Sequence, residues 1–247
     1  MGSATYTAEA ATLDPKKGRL KRIITRGLLF IIAAGIVAHY AYKYTGSNKW
    51  HVLPEKDGVN VSWMKPFGST IVIYKGTTRF KSSLTSITRF MQDPTTCDDV
   101  GCTDPVVIKH ESPQVQYMSF VYDYDPFDKR QFVVKVDVFQ DPKTKVVHVK
   151  YLGRPDFVPP EECCVRVPRM NNSWKFTPRG DTEVEVEYIV DMNEGGFLPY
   201  FFRNYMHEQT AYIALKEIRE FVASDKYRKK YADGAVKLEY IQETAPN

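Results

Sequence analysis

The sequence lacks the residue groups that most often perform catalysis or bind metals. Its five histidines are His39, His51, His110, His148 and His207. None of them lies at metal-ligand spacing from another or beside a nucleophile motif. Gly195 and Gly196 have no third glycine and no basic partner nearby, so they do not form a phosphate-binding loop. We therefore expect no enzymatic activity, no metal and no cofactor.

The chain also lacks an excess of charge of either sign after its first 26 residues. The whole sequence has 34 basic and 30 acidic residues. Six of the basic and two of the acidic residues fall in Met1–Arg26, which leaves 28 of each sign in the remainder. A nucleic-acid-binding domain needs a basic surface, so we expect no nucleic acid among the partners.

Cysteine is scarce, and its four copies form two local pairs. Cys97 and Cys102 lie in a polar loop without zinc-site spacing, so they are expected to be free thiols or one loop disulfide. Neighbouring residues on a strand point to opposite faces. Cys163 and Cys164 are therefore expected not to bridge each other.

Only one long stretch of the chain lacks formal charge. This stretch, Gly27–Tyr42, follows the basic segment, and with Ile23 and Ile24 it extends to about 20 residues, the length of a membrane-spanning helix. We expect one transmembrane helix over 23–44, between a polar and basic tail (1–22) and a short linker (45–48). Two alternatives are a signal peptide, although the cleavage pattern is poor, and a core helix of a soluble protein.

The basic flank predicts the orientation of this helix. Positively charged residues remain on the cytoplasmic or matrix side of a membrane. We therefore expect a single-pass protein of a bacterial or mitochondrial inner membrane, with its N-terminus on that side and its folded domain on the other.

Two segments alternate in polarity with the period of a β-strand. In Thr182–Asp191, valines and one tyrosine alternate with glutamates; the inward residues are Val184, Val186, Tyr188 and Val190. In Gln131–Gln140, the inward residues are Phe132, Val134, Val136 and Val138. Both segments are expected to be strands of one antiparallel sheet.

A long amphipathic helix is expected to begin near Leu198, where Pro199 suits the first turn. Apolar side chains recur at spacings of three, four or seven; they are Phe201, Tyr205, Tyr212, Leu215, Ile218 and Val222. Arg203 is expected on the opposite, solvent-facing side. A helix of this length, about 35 Å, can cross a whole small sheet.

Three segments in this order resemble landmarks of the START domains, the steroidogenic-acute-regulatory-protein-related lipid-transfer family. They are Asp125–Val134, the segment from Arg166 to Trp174, and Val184–Arg219. The similarity covers about Lys49 to Phe221 and is closest to bacterial-type members. Phe127 stands where the family commonly has tryptophan and Gln131 where it has aspartate, so a role that depends on that aspartate is in question.

The resemblance implies an α+β helix-grip fold over 49–224, in which a curved antiparallel sheet surrounds a long C-terminal helix, with an extension over 225–247. It also implies a lipid-sized cavity. The expected lining residues are Phe132, Val134, Val136, Val138, Val184, Val186, Tyr188, Phe201, Tyr205 and Tyr212. Arg130 and Arg166 are expected either to contact the polar head of a lipid or to pair with surface carboxylates. Periodicity alone also allows a solid core.

Two functions remain open at this stage. The first is a membrane-anchored domain that binds a lipid or other hydrophobic ligand for transfer or sensing. The second is a non-catalytic accessory subunit of a membrane complex, such as a respiratory complex of the mitochondrial inner membrane, that uses the same fold for docking. In the extension, Lys226, Arg228, Lys229 and Lys230 suit anionic lipid headgroups or an acidic partner, or form a solvated charged surface.

Overall fold

A computed structural model describes residues 15–180, 182–232 and 241–243 of the chain. The structure contains two compact units, 1–45 and 46–247. Most of the predicted N-terminal tail and much of the predicted C-terminal extension lie outside the described residues.

The first unit contains one helix, α1 (Pro15–Lys43). Its stretch Arg19–Lys43 has a mean hydropathy of 1.8 and is long and apolar enough to span a membrane. The helix begins before the predicted start at residue 23, because lysine and arginine are good helix formers and the basic flank continues the same helix.

The second unit has eleven strands and three α-helices among its described residues. The strands are β1 (His51–Val52), β2 (Asn60–Met64), β3 (Ile73–Lys81), β4 (Cys102–Ser112), β5 (Val115–Tyr124), β6 (Phe127–Gln140), β7 (Val147–Gly153), β8 (Val165–Arg166), β9 (Arg169–Arg179), β10 (Glu183–Val190) and β11 (Met192–Asn193). The helices are α2 (Leu84–Gln92), α3 (Tyr200–Ala223) and α4 (Asp225–Ala232).

These strands form one curved sheet in the order β1-β2-β3-β10-β9-β7-β6-β5-β4, and all neighbours on this path are antiparallel. The short strand β11 pairs with β9, and β8 pairs with β6 in parallel. The long helix α3 packs against β3 and β10. The predicted helix-grip fold is confirmed.

The predicted alternation of β10 is also confirmed. Its valines and Tyr188 are buried, whereas its glutamates are half-buried on the other face. On that face Glu185 forms ion pairs of 2.9 Å with both Arg79 and Arg179, its neighbours on the adjacent strands. This glutamate face is exposed to solvent because it belongs to the outer surface of the sheet.

Helix α3 is rotated relative to the sequence prediction. Its buried residues are Arg203, His207, Ala211, Leu215, Ile218 and Val222. Arg203 was expected to face solvent, and Phe201 and Tyr212 to face inward, and these expectations were wrong. The rotation follows from Gly76 on β3, because a Cβ there would lie 2.9 Å from the carbonyl oxygen of Ala211 and 2.4 Å from a methyl of Leu215. The missing side chain lets the helix backbone approach the sheet at Ala211.

Helix α4 folds back onto the loop between α2 and β4. Its Lys226 pairs with Asp99 at 2.5 Å and its Lys230 with Asp93 at 2.5 Å. The buried Tyr227 donates a hydrogen bond to Asp99 as well. Two of the lysines expected to suit headgroups or an acidic partner are therefore paired within the chain.

Both cysteine pairs form disulfides. The bridge between Cys97 and Cys102 closes the loop after α2, which is one of the two states expected. The bridge between Cys163 and Cys164 corrects the expectation for that pair. The two residues lie in a turn before β8 rather than on a strand, so the opposite-face argument does not apply to them.

Candidate functional site

A cavity of about 450 Å³ lies between α3, the inner face of the sheet and the loop that follows α2. Half of its lining residues are aromatic residues or methionines. The aromatic residues are Phe90, Phe120, Tyr122, Tyr124, Phe132, Tyr151, Trp174, Tyr188 and Tyr205. The methionines are Met91, Met118, Met170, Met192 and Met206.

Strand register brings the rings of this wall together. Phe120 on β5 lies opposite Phe132 on β6, and their rings stack at 5.2 Å. Trp174 on β9 lies opposite Tyr188 on β10, and these rings stack at 3.9 Å. Cross-strand pairs of this kind stabilise a sheet and orient each other. The wall is therefore built from fixed rings.

Three of the predicted lining residues border this cavity: Phe132, Tyr188 and Tyr205. The predicted valines face inward but do not border it; they are Val134, Val136, Val138, Val184 and Val186, all buried in the packed core. Part of the interior is therefore a packed core, and part of it is a cavity.

Phe201 and Tyr212 lie away from the cavity. The Phe201 side chain is 78% exposed. The Tyr212 hydroxyl donates a hydrogen bond to the carboxylate of Asp57 on the outside of the domain. This bond raises the pKa of Tyr212. The rotation of α3 described above accounts for both positions.

Arg130 takes neither of its two predicted roles. It is fully buried, its guanidinium donates to the carbonyl oxygens of Asp128 and of Gly195, and it lies 5.2 Å from the ring of Tyr124. It does not border the cavity. Its position indicates a structural role, which is to hold the loop before α3 against β6.

Arg166 also binds protein groups. It donates to the carbonyl oxygens of Pro155, Val158 and Pro159, and to the side-chain oxygen of Gln131 at 2.8 and 3.1 Å. The neutral Gln131 thus accepts from the guanidinium at the position where the START family commonly has aspartate. These bonds fix the loop after β7 to β6.

A buried charged cluster beside the loop before α3 was missed by the sequence analysis. The carboxylate of Glu194 lies 2.5 Å from Nε2 of His207 and 3.0 Å from Nε of Arg203. Glu194 and His207 are fully buried. A buried charge needs a partner, and this set joins the loop to the helix. Arg203, His207 and Ala211 are four residues apart, a spacing that could have indicated a shared face.

Four buried tyrosine hydroxyls of the wall, those of Tyr122, Tyr124, Tyr151 and Tyr188, have raised pKa values and remain protonated over the physiological pH range. Burial raises the pKa of Tyr122 to about 12, with Glu217 adding to the effect. Burial likewise raises the pKa values of Tyr124, Tyr151 and Tyr188, and the Tyr122 hydroxyl raises all three further. The cavity therefore offers neutral hydroxyl groups in an apolar wall.

Solved structures with the same architecture identify the fold. The domain resembles the STAR-related lipid transfer protein from Xanthomonas axonopodis, with a TM-score of 0.66 and 21% identity over 71% of this chain and 99% of that one. The domain has the START fold. Human STARD10 gives a TM-score of 0.67 with 12% identity over 79% of this chain and 82% of that one. Human StAR-related lipid transfer protein 5 gives 0.62 with 14% identity over 80% and 97%.

Comparisons of the amino-acid sequence do not by themselves assign the fold. The chain matches no protein-family model. An uncharacterized protein of Pseudomonas aeruginosa is 25% identical over 206 residues, which are 82% of this chain and 96% of that protein. The START fold of this chain is therefore established by structure, and the resemblance noted in its sequence agrees with it.

Proposed function

We propose that this chain binds one lipid or other hydrophobic molecule in the cavity of its START domain, for transfer or sensing at a membrane. The supporting observation is the 450 Å³ cavity with an aromatic and methionine wall, in a fold whose neighbours named above are lipid-transfer proteins. Binding without chemical conversion of the ligand is part of the proposal.

The wall supplies the free energy for such binding. Each Å² of apolar ligand surface removed from water contributes about 25 cal/mol, so burial of about 300 Å² contributes roughly 7 kcal/mol before the cost of association. Methionine side chains adapt to irregular ligand shapes. The fixed rings and the flexible thioethers together suit a molecule that is mostly hydrocarbon.

An exposed aromatic ridge supports exchange of the ligand with a bilayer. Phe201 and Tyr205 lie one turn apart on α3, Phe197 lies in the loop just before this helix, and the three side chains are 78%, 61% and 82% exposed, respectively. Tyr205 also borders the cavity. Aromatic side chains favour the interface of a membrane, so the ridge suits contact with lipid beside the cavity.

The helix α1 suits a membrane anchor in this proposal. The basic residues before it favour an N-terminus on the cytoplasmic or matrix side. Protease added from that side is expected to remove only the residues before Gly27, and digestion of the domain from that side would contradict the orientation. The alternative of an accessory subunit receives no support from the neighbours named above.

The proposal is tested by a variant that fills the cavity. The full-length protein is purified from its membrane, and the lipid bound to it is extracted and measured by mass spectrometry. Ala214 borders the cavity on α3, so Ala214→Trp is expected to reduce the bound lipid at least severalfold. Glu220→Trp, at an exposed position of the same helix, is the matched control and is expected to retain it.

Two results would contradict the proposal. Wild-type protein without any bound hydrophobic molecule would show that the cavity has no such ligand. Equal amounts of lipid on Ala214→Trp and on Glu220→Trp would show that lipid adheres elsewhere on the protein.

A further inference from the structure

We propose that helix α4 is a latch, which holds a lid closed over the cavity and thereby sets how fast molecules enter or leave it. The lid is the segment Asp93–Cys102, which runs from the end of α2 to the first residue of β4. The inference rests on the proposed function for the use of such a lid. Opening of the lid is nevertheless measurable without any ligand.

The lid forms one side of the cavity wall. Six of its ten residues border the cavity: Asp93, Pro94, Thr96, Cys97, Val100 and Cys102. None of the residues of α4, all of which the structure describes, borders the cavity. Helix α4 therefore acts on the cavity only through the elements that it contacts, and the lid is one of them.

The lid is a compact turn of its own. The backbone N–H of Cys102 donates to the carbonyl oxygen of Cys97 at 3.0 Å, and that of Val100 donates to the carbonyl oxygen of Thr96 at 3.1 Å. The disulfide between Cys97 and Cys102 closes the same turn. From the cavity side, the hydroxyl of Tyr122 donates to the carbonyl oxygen of Val100 at 3.4 Å, which is long for such a bond. We therefore expect the lid to move as one piece.

The first ionic contact between the latch and the lid is at Asp99. The ammonium group of Lys226 lies 2.5 Å from the carboxylate of Asp99, and the hydroxyl of Tyr227 donates to the same oxygen. Hydrogen bonds from Lys226 and Tyr227 hold the pKa of Asp99 below its ordinary value. The carboxylate that α4 binds near the end of the lid is therefore charged at neutral pH.

The second ionic contact repeats the first at the start of the lid. Lys230 and Tyr231 follow the first Lys-Tyr pair by four residues, so both pairs lie on the same face of α4. Lys230 lies 2.5 Å from the carboxylate of Asp93, and the hydroxyl of Tyr231 donates to that carboxylate at 3.0 Å. Helix α4 thus binds the lid at both of its ends with the same pair of residue types.

The latch is itself anchored by aromatic packing. Tyr227 is 2% exposed, and its ring lies edge-on to that of Phe90 of α2 at 5.0 Å and 6.2 Å from that of Phe221 of α3. The side chains of Lys226 and Lys230, in contrast, are 61% and 39% exposed. Ion pairs in contact with water are weak. The two ionic contacts can therefore break and form again while α4 remains on the domain.

The experiment measures how fast a reagent reaches the inside of the cavity. All four cysteines of the chain are in disulfides, so one cysteine introduced into the wall is its only free thiol. Met192 on β11 borders the cavity and is 6% exposed, and Met192→Cys supplies this thiol. The full-length protein in phosphatidylcholine nanodiscs is treated with N-phenylmaleimide, and labelling is followed by intact-protein mass spectrometry. The labelling rate follows the fraction of molecules with an open lid.

The latch variant combines Lys226→Ala with Lys230→Ala in this cysteine background. Each such ion pair contributes up to about fivefold to an equilibrium constant, so we expect labelling to become at least about fourfold faster. The matched control combines Arg79→Ala with Arg179→Ala, which removes two ion pairs of 2.9 Å with Glu185 on the outer face of the sheet. Its labelling rate is expected to equal that of the unchanged background.

A second variant tests the lid side of the contact. Asp99→Ala alone is expected to speed labelling by about two- to fivefold. Adding Lys226→Ala to it should change the rate little further, because the two residues act through one contact. Near-UV circular dichroism equal to that of the wild type checks that each variant keeps its fold.

Several results would overturn the inference. They are equal labelling rates in the latch variant and the outer-face control, fully additive effects of Asp99→Ala and Lys226→Ala, and labelling of the unchanged background as fast as in denaturant. Bound lipid is measured in the same samples. Its absence from the wild type would contradict the proposed function, whereas the labelling rates would still decide whether α4 holds the lid.

Discussion

The two faces of α3 meet different surroundings, although they belong to one helix. One face, with Ala211 and Leu215, packs directly on Gly76 of β3 and has no room even for a methyl group there. The other face, with Met206, Ile213 and Ala214, borders the cavity. Both faces have apolar residues at helical spacing. The difference shows that an apolar face can lie against either packed atoms or a ligand-sized space.

The charged residues of α3 are also divided between the packed face and the cavity face. Arg203 and His207 are buried on the packed face, where the carboxylate of Glu194 lies 3.0 Å from Nε of Arg203 and 2.5 Å from Nε2 of His207. Glu217 lies on the cavity face, where burial raises its pKa. The packed face therefore holds its buried guanidinium within ion-pair distance of a carboxylate, whereas on the cavity face Glu217 has no ion partner among the described residues.

The largest effect on stability is expected in the buried charged cluster of Glu194, Arg203 and His207. Glu194→Ala leaves Arg203 buried without a counter-charge, and we expect a loss of about 3–5 kcal/mol in the free energy of unfolding. The measurement is denaturant unfolding of the full-length protein in detergent, followed by near-UV circular dichroism. Glu187→Ala, on the outer face of β10, is the control and should cost less than about 1 kcal/mol. Equal losses for the two variants would show that the cluster is not required.

A pair of truncations compares the two faces directly. Leu215→Ala removes a fully buried side chain and is expected to cost about 2–5 kcal/mol. Ile213→Ala, two residues away on the cavity face, is expected to cost less than about 1 kcal/mol, because this side chain already borders open space. The same unfolding measurement applies. Similar losses at both positions would mean that the cavity face is packed as well.

A smaller effect on stability is expected at the edge of the cavity. Tyr205 is largely exposed and borders the cavity, so Tyr205→Ala should cost less than about 1 kcal/mol, well below the 3–5 kcal/mol of a buried ring. The rate of lipid exchange with vesicles should change instead. A large loss of stability with unchanged exchange would place Tyr205 in the solid core.

The smallest expected effect depends on pH and concerns Asp93, which borders the cavity and forms an ion pair with Lys230 of α4. Burial alone would raise the pKa of Asp93, but hydrogen bonds from Lys230 and Thr95 hold it below its ordinary value of 3.8. A lowered pKa stabilises the fold above 3.8, and this contribution is lost as the pH falls below that value.

Between about pH 6 and pH 3 the wild type should therefore lose up to about 1 kcal/mol more than Asp93→Asn does. The check is the free energy of unfolding of both proteins at several pH values. A pH dependence that is identical in the two proteins would show that this pair does not stabilise the position of α4.

Much of the fold could be predicted from the sequence, since strand alternation is a local property. The inward positions of β6 and β10, the turn at Gly195 and the long helix after it were all expected, and the structure contains them. The rotation of α3 could not be predicted, because aromatic residues occur on several of its sides. The same holds for the buried Glu194, whose partners lie on a different element.

The sequence by itself determined which segments are strands or helices, which faces of β6 and β10 point inward, and that one N-terminal segment is apolar enough to span a membrane. Only the tertiary structure decided that Val134 and Val136 lie in solid core while Phe132 and Tyr188 border a cavity. The physical reason is that periodicity reports the polarity of each face. The space opposite a face depends on distances between elements far apart in the chain, such as the close approach of α3 to Gly76.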